Sequence, residues 1–325
     1  MQLIKAVRLS AEQEAQKYDL SKLKAEAENL SSSYLTAERT GKSFIEGDIS
    51  AAVYSAMRMP ATFCAISSAL EETLKSVKLD GEYTLLDIGT GTGSAVMATD
   101  HLLNIKKAVC FERETSMQKA AERHFAAFGG ISGDIEWVCD DIRKTESFPK
   151  SDIVTASYVF NELPINEGIK LAEKLWNSAD KLLLIVERGT PAGYKLISEI
   201  RKMLIHFGAR IAAPCGGNYD CPLKPDDWCH FTCRVERSRL QKILKRGDAP
   251  YEDEKFCYIA VSKENVNPAP RVLRHPKISA GKIEFPLCSG GEIKNVICTK
   301  KNKDLWKATR KTKSGDSFDL PENLE

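Results

Sequence analysis

The sequence predicts an α/β chain: a doubly wound, largely parallel sheet with a helical N-terminal extension and a small C-terminal β appendage. Two observations carry that prediction. Between residues 83 and 186, short apolar runs alternate with amphipathic stretches of helical length, which implies parallel strands covered by helices on both faces. At the end of the first run stands a glycine turn, LLDIGTGTG (Leu85–Gly93), of the kind that brings backbone N–H groups close to a nucleotide-like ligand.

The expected strands are Tyr83–Ile88, Lys107–Phe111, Ile135–Cys139, Asp152–Ser157 and Lys181–Val186. Between them lie helical patterns at Ser94–Leu103, Glu114–Phe128 and Pro164–Ala179. A helix at Ala192–Phe207, strands at Ala209–Ala213 and Lys255–Val261, and a basic helix at Ser238–Lys245 complete this part. Residues 1–78 read as a helical region rich in Ala, Glu and Lys, with a polar break at Ser31–Ser33. Asp48 is placed to cap a helix through Tyr54 and Met57, which Pro60 interrupts and Ala61–Val77 resumes. Four prolines punctuate residues 264–325 around two strand patterns, Lys282–Leu287 and Glu292–Cys298, before a basic tail. The expected units are therefore 1–78, a sheet domain over 79–263 with a cysteine-rich insertion at about 214–233, and the appendage over 264–325.

Composition narrows the classes. With 42% hydrophobic and 28% charged residues, the 325-residue chain has a globular make-up. No unbroken apolar run approaches the roughly 20 residues of a membrane span, so no membrane partner is expected. The net charge is only +2, so a polyanion must be met by local patches. Ten cysteines without a signal-peptide pattern favour a reducing compartment over a disulfide framework. Cys64, Cys110 and Cys139 stand in apolar stretches and read as small buried hydrophobes. Lys5 and Arg8 are soon followed by Glu12 and Glu14, unlike an acid-poor transit peptide. The expected location is cytoplasmic, or mitochondrial for a eukaryotic source.

The glycine turn carries its own discrimination. A dinucleotide fingerprint asks for a further glycine where Ser94 stands. An acid at the strand end followed by G-x-G-x-G instead resembles the class I S-adenosylmethionine-dependent methyltransferases. That resemblance implies a cofactor site built on Gly89, Gly91 and Gly93. In it, Asp87 would meet the methionine amino group, Glu112 the ribose hydroxyls, and Asp140 or Asp141 the adenine. No acceptor motif accompanies it: Asn161-Glu162-Leu163-Pro164 is not the Asn/Asp-Pro-Pro-aromatic pattern of amino-group enzymes. Pro214-Cys215 looks superficially like a nucleophile motif but has thiol neighbours. The catalytic residues stay unknown, and RMPATF (Arg58–Phe63) offers either a helix break or an arginine aimed at an anionic ligand.

Cys215, Cys221 and Cys229 share one polar loop, APCGGNYDCPLKPDDWCHF. Their spacing is not that of a zinc ribbon, so zinc and an iron–sulfur cluster both stay open. Proximity in sequence would choose Cys233 as fourth ligand, with His230 as competitor. The loop, followed by RSRLQKILKRG, YEDEKFCYIA, RVLRHPKI and LWKATRKTKSGD, resembles the methyltransferase-like assembly factors of the mitochondrial small ribosomal subunit and their bacterial homologues, over roughly residues 50–317. This resemblance implies a 4Fe–4S cluster on Cys215, Cys221, Cys229 and distant Cys288, returning Cys233, Cys257 and Cys298 to packing. It also implies small-subunit rRNA as partner, bound by a chain that is monomeric off the ribosome. Two basic sets would serve as footprint: Arg234–Arg246, and Arg271, Arg274, Lys277 with the tail from Lys300 to Lys313, where Trp306 either stacks on a base or anchors the tail. The function is then either rRNA methyl transfer or non-catalytic assembly.

Overall fold

The computed structural model describes residues 2–36 and 45–319. Three helices come first, α1 (Gln2–Ala15), α2 (Leu20–Thr36) and α3 (Gly47–Leu74). The sheet domain follows as β1 (Glu82–Ile88), α4 (Ser94–Leu102), β2 (Asn104–Phe111), α5 (Thr115–Phe128), β3 (Asp134–Val138) and β4 (Ser151–Ser157). After a short 3-10 turn at Phe160–Glu162 come α6 (Ile165–Ser178), β5 (Ala179–Arg188), α7 (Pro191–His206), β6 (Arg210–Ala213), β7 (Phe231–Glu236), α8 (Arg239–Leu244) and β8 (Tyr251–Ser262). The appendage holds β9 (Arg271–Val272), β10 (Lys277–Ser279), β11 (Lys282–Ser289), β12 (Glu292–Thr299) and α9 (Lys303–Thr309).

Strand order is β3-β2-β1-β4-β5-β8-β6, with β7 added to β8. The first five strands pair in parallel, while β8 runs antiparallel between β5 and β6. The order reverses between β1 and β2 on one side and β4 on the other, which opens a crevice at the carboxyl ends of these strands. Burial explains the run of apolar residues in the central strands: Leu85, Leu86, Ile88, Ile153, Val154 and Leu182–Val186 are fully enclosed between helix layers. This is the doubly wound sheet that the alternation predicted, with the antiparallel edge of the class I methyltransferase fold.

Three expectations fail in the helical region. The polar serines Ser31–Ser33 lie inside α2, and the break falls between α1 and α2 instead. Asp48 sits in the first turn of α3, whose N-cap is Glu46. Pro60 does not interrupt: α3 runs unbroken for 28 residues. Its buried face, including Met59, Pro60, Phe63, Ile66 and Leu70, lies against the sheet, and this burial outweighs the roughly 3 kcal/mol cost of an internal proline. By length and composition α3 is also long and apolar enough to cross a membrane, but 67% of that apolar window is buried inside the protein, as in a core helix. The cysteine-rich loop ends sooner than expected, because β7 begins at Phe231. Of the cysteines read as buried, Cys110 is, Cys64 is half-buried and Cys139 is exposed at the end of its strand.

The appendage is a four-stranded antiparallel sheet, β10-β11-β12 with β9 on β11, around Val272, Ile283, Phe285, Leu287, Cys298 and Leu305. It is tied to the sheet domain through Arg271, only 1% exposed. Its Nε donates to the Pro214 carbonyl and its Nη1 to the Gly315 carbonyl, both at 2.9 Å, and the same Nη1 pairs with Glu72 of α3. Burial of Glu72 would raise its pKa, but hydrogen bonding to Lys75 and the charge of Arg271 outweigh that and hold it below its ordinary value. Replacing Arg271 by Met strands a half-enclosed carboxylate and two carbonyls, a loss of about 3 kcal/mol. The Arg271→Met protein is expected to melt earlier and to exchange amide hydrogens faster in β11 and β12. Unchanged exchange there would show that the appendage is held by other contacts.

Candidate functional site

The crevice at the sheet's carboxyl edge is a cavity of about 130 Å³ walled by Gly89, Gly91, Glu112, Asp140, Asp141 and Glu162, with Tyr54, Tyr158 and Met117 over it. Gly89 and Gly91 both adopt positive φ, 66° and 55°. A Cβ on Gly89 would lie 2.4 Å from Val159 Cγ2, so only glycine lets the turn pass under the β4 segment. Glu112, at the end of β2, accepts the Gly91 N–H at 2.8 Å and the Glu114 N–H at 2.9 Å. Its carboxyl therefore holds the turn and borders the cavity at once. Burial raises its pKa against those two hydrogen bonds.

Two of the expected residues lie behind the wall. Asp87 is 1% exposed; Thr155 Oγ1 donates to one carboxyl oxygen at 2.7 Å, while the other has no partner among the described residues. Gly93 packs α4 beneath Phe125, whose ring would clash with any Cβ there. Asp140 and Asp141 both border the cavity, but Asp141 is committed to Arg143 through Nε and Nη2. Hydrogen bonding from Arg143 holds its pKa down at about 2.

Residues without a sequence signature complete the site. Glu187, at the end of β5 and fully buried, accepts the N–H groups of Phe160 and Asn161 at 2.8 and 3.3 Å. It thereby fixes the segment after β4, where Tyr158 takes a positive φ of 62°. That conformation is costly for a non-glycine residue and needs such support. Glu162, one turn on, faces the cavity with its pKa lifted to about 7 by burial, against the favourable charges of Arg113 and Arg188. The only available signal was an acid directly after the fourth strand. Arg58 does not stand free for a ligand: it pairs with Glu254 at 2.9 Å and with Glu252.

The second cluster lies at a distinct cavity of about 50 Å³ between α7, the cysteine loop and the appendage. Cys215, Cys221, Cys229 and Cys288 all border it, and so does Cys257, whose Sγ donates to the Arg188 carbonyl. Cys233 instead faces Cys64, and His230 stacks on Trp228. Among the described residues, no three His, Cys, Asp or Glu side chains converge closely enough to hold a metal ion, so the four thiols ring the cavity without meeting at a point. The donor set nevertheless fits a soft, thiolate-liking group. Three residues on the same wall, Arg201, Arg271 and Tyr258, each carry a buried donor with no partner among the described residues (Nε, Nη2 and the hydroxyl). Such donors suit a site that gathers negative charge. Burial and the neighbouring thiols raise the pKa of Cys229, and that of Cys288 to about 12, so ionising this set requires added positive charge.

The basic sets are not equal. Arg234, Arg237, Lys245 and Arg246 are paired with Asp253, Glu252, Glu252 and Glu28. Arg271 is buried, and Arg274 pairs with Asp227. The tail differs: Lys300, Lys301, Lys303, Lys307, Arg310, Lys311 and Lys313 are exposed and make no salt bridge among the described residues. Trp306 is half-buried against the appendage core, with Lys300 over its ring, so it anchors the tail.

With this geometry in place, comparison with known proteins becomes specific. A family model described as mitochondrial small ribosomal subunit Rsm22 matches residues 48–319. The chain belongs to the Rsm22 family. It is similar to the human mitochondrial ribosome assembly protein METTL17, 24% identical over 290 residues, which are 81% of this chain and 61% of that protein. The chain thus spans about three-fifths of that relative's length. Solved structures with a related fold include a putative RNA methyltransferase from Pyrococcus horikoshii (16% identity, TM-score 0.37, 56% of this chain and 75% of that one). Another is magnesium protoporphyrin IX methyltransferase from Synechocystis with bound S-adenosylmethionine (15%, 0.36, 56% and 71%). The strand order, not these overlaps, carries the fold assignment. The cytoplasmic expectation is overturned, because the matching family and the human relative are both described as mitochondrial. Glu12 and Glu14, which prompted it, belong to α1, where Glu14 is buried in a pair with Arg123.

Asp87 gives a test by pH. Burial lifts its pKa from 3.8 to about 7, so the folded state holds the proton more tightly than the unfolded one. The resulting penalty is absent below about pH 4, grows towards pH 7 and is complete above it. Asp87→Asn is therefore expected to stabilise the unliganded protein at pH 8, by at most about 4 kcal/mol, and to change little at pH 4. Thermal melts across that range check this; an equal effect at both ends would contradict the assigned ionisation.

Proposed function

We propose that this protein binds S-adenosylmethionine at the sheet's carboxyl edge and acts in assembly of the small ribosomal subunit. The observation that carries the reading is the cavity bounded by Gly89, Gly91, Glu112 and Asp140, at the switch point of a sheet whose family is tied to that subunit. In this reading Glu112 receives the ribose hydroxyls, Asp140 or Asp141 the adenine edge, and buried Asp87 supplies negative charge beneath the methionine amino group. The glycine turn and the start of α4 cradle the rest. The exposed tail cations contact rRNA phosphates, which makes association salt-dependent.

Calorimetry with S-adenosylmethionine is expected to give one site per chain, lost in Gly91→Val. Sedimentation with small-subunit precursors is expected to carry the protein along, and to fail when Lys303, Lys307, Arg310 and Lys311 are reversed to Glu. Absence of donor binding, or co-sedimentation indifferent to tail charge, would refute the corresponding half. Transfer of label from the donor to purified small-subunit rRNA separates an enzyme from an assembly factor that uses the donor structurally.

The four-cysteine cavity supports a second element of the reading, a 4Fe–4S cluster on Cys215, Cys221, Cys229 and Cys288. Bound there, such a group would supply the positive charge that lets the thiols ionise and would link the appendage to the sheet domain. Anaerobically purified protein is expected to contain iron and sulfide in equal amounts, retained in Cys233→Ser and lost in Cys288→Ser. One zinc with neither iron nor sulfide would overturn the assignment.

A further inference from the structure

A larger cavity, about 870 Å³, adjoins the first and shares Tyr54, Tyr158 and Glu162 with it. Its size is that of a small-ligand site, and its walls are unlike a packing defect. Among the described residues neither the Tyr54 hydroxyl nor the Glu162 carboxyl has a hydrogen-bond partner, although both stand where the two cavities meet. Tyr158 is held in its strained conformation by two devices: Glu187 fixes the segment after it, and its own hydroxyl donates to Glu254 at 3.1 Å. The result is a pair of aromatic side chains and a bare acid grouped at one mouth.

The outer rim of this cavity carries Lys255 and Arg246 together with Glu28 and Asp253, the last of these paired with Arg234. Lys255 is exposed with no carboxylate partner among the described residues. Among the described residues Arg246 is paired only with Glu28, and both are largely exposed, 72% and 52%. A surface pair of this kind contributes little, so a phosphate can take the place of Glu28 on Arg246 at small cost. The inner cations, Arg58 and Lys245, are satisfied by Glu252 and Glu254 and serve as walls. Aromatic sides, an acid at the depth and phosphate-ready cations at the rim match an unstacked nucleotide.

We propose that this second cavity takes a single RNA nucleotide bearing an exocyclic amine. Its base lies against Tyr54 and Tyr158, its amine donates to the Glu162 carboxylate, and its phosphate meets Lys255 and Arg246. The proposal rests on reading the adjoining cavity as the donor site, since the base would then face the donor across Glu162. An amine donor is chosen because above about pH 7 Glu162 is ionised and can only accept hydrogen bonds; a base with a carbonyl at that edge is then repelled.

The test uses the full chain at a pH about one unit above 7, where Glu162 is ionised, loaded with S-adenosylhomocysteine, and saturation-transfer NMR with nucleoside monophosphates. Cytidine and adenosine monophosphates are expected to bind roughly tenfold more tightly than uridine monophosphate, the effect of one hydrogen bond to a charged group. Glu162→Leu should abolish that preference. Lys255→Ala should weaken cytidine monophosphate but not cytidine. Equal binding of the three nucleotides, no binding at all, or a preference that survives Glu162→Leu would overturn the proposal. Tighter binding of a ribosomal-protein peptide to the same cavity would overturn it too. If S-adenosylhomocysteine itself does not bind, the donor reading fails; the same nucleotide comparison on the unloaded chain then decides this pocket alone.

Discussion

One buried guanidinium holds the two halves of this molecule in register. Arg271 reaches three separate parts of the chain: the loop entrance at Pro214, helix α3 at Glu72, and the tail turn at Gly315. Glu72 in turn accepts the Ser317 N–H at 3.0 Å. A charge this enclosed would be a liability without its pair. Its bonds explain why the appendage sheet, with a small core of its own, keeps a fixed relation to the sheet domain. Because Arg271 also borders the cysteine cavity, the joint and the candidate cluster site share a wall. The contact that positions the tail turn therefore stands in the wall of that cavity.

The donor side depends on a different economy of charge. Asp87, Glu162 and Glu187 are all carboxyls whose pKa burial raises to about 7, gathered at the ends of β1, β4 and β5. Asp87 and Glu187, and Glu112 beside them, each make a structural contact that an apolar side chain would not. Glu187 fixes the segment after β4, Glu112 holds the glycine turn, and Asp87 gathers the Thr155 hydroxyl. Carboxyls poised in this way favour a ligand that brings positive charge or hydrogen-bond donors.

Much of this was legible in the sequence because local pattern and tertiary burial agree there. The five parallel strands were placed to within a few residues, since central strands must be apolar throughout and their flanking helices amphipathic. The glycine turn was legible because positive φ and close approach leave no other residue. What failed depended on partners distant in sequence. Nothing local reveals that Pro60 lies within a helix whose buried face compensates for it, or that Arg234, Arg237 and Lys245 are each paired with a carboxylate. Cys233 looked the natural neighbour of Cys229, yet it lies further along β7, on the face it shares with Phe231, and meets Cys64 there. Glu187 and Tyr54 had no signature at all, because their roles exist only once the sheet is assembled.

The pairing of β9 with β11 sets Cys288 directly opposite Arg271. Opposite residues on neighbouring strands project to the same side, and side chains alternate along each strand. Insertion or deletion of one residue in β11 before Cys288 would therefore turn that thiol away from its cavity while Arg271 kept its place. A length change at the turn around Gly281, which has open space about it, would leave both undisturbed, whereas Gly291 itself borders the cavity. Within this family, drift in chain length should be tolerated at the Gly281 turn, while the count of residues from the start of β11 to Cys288 is kept by the geometry of a single rung.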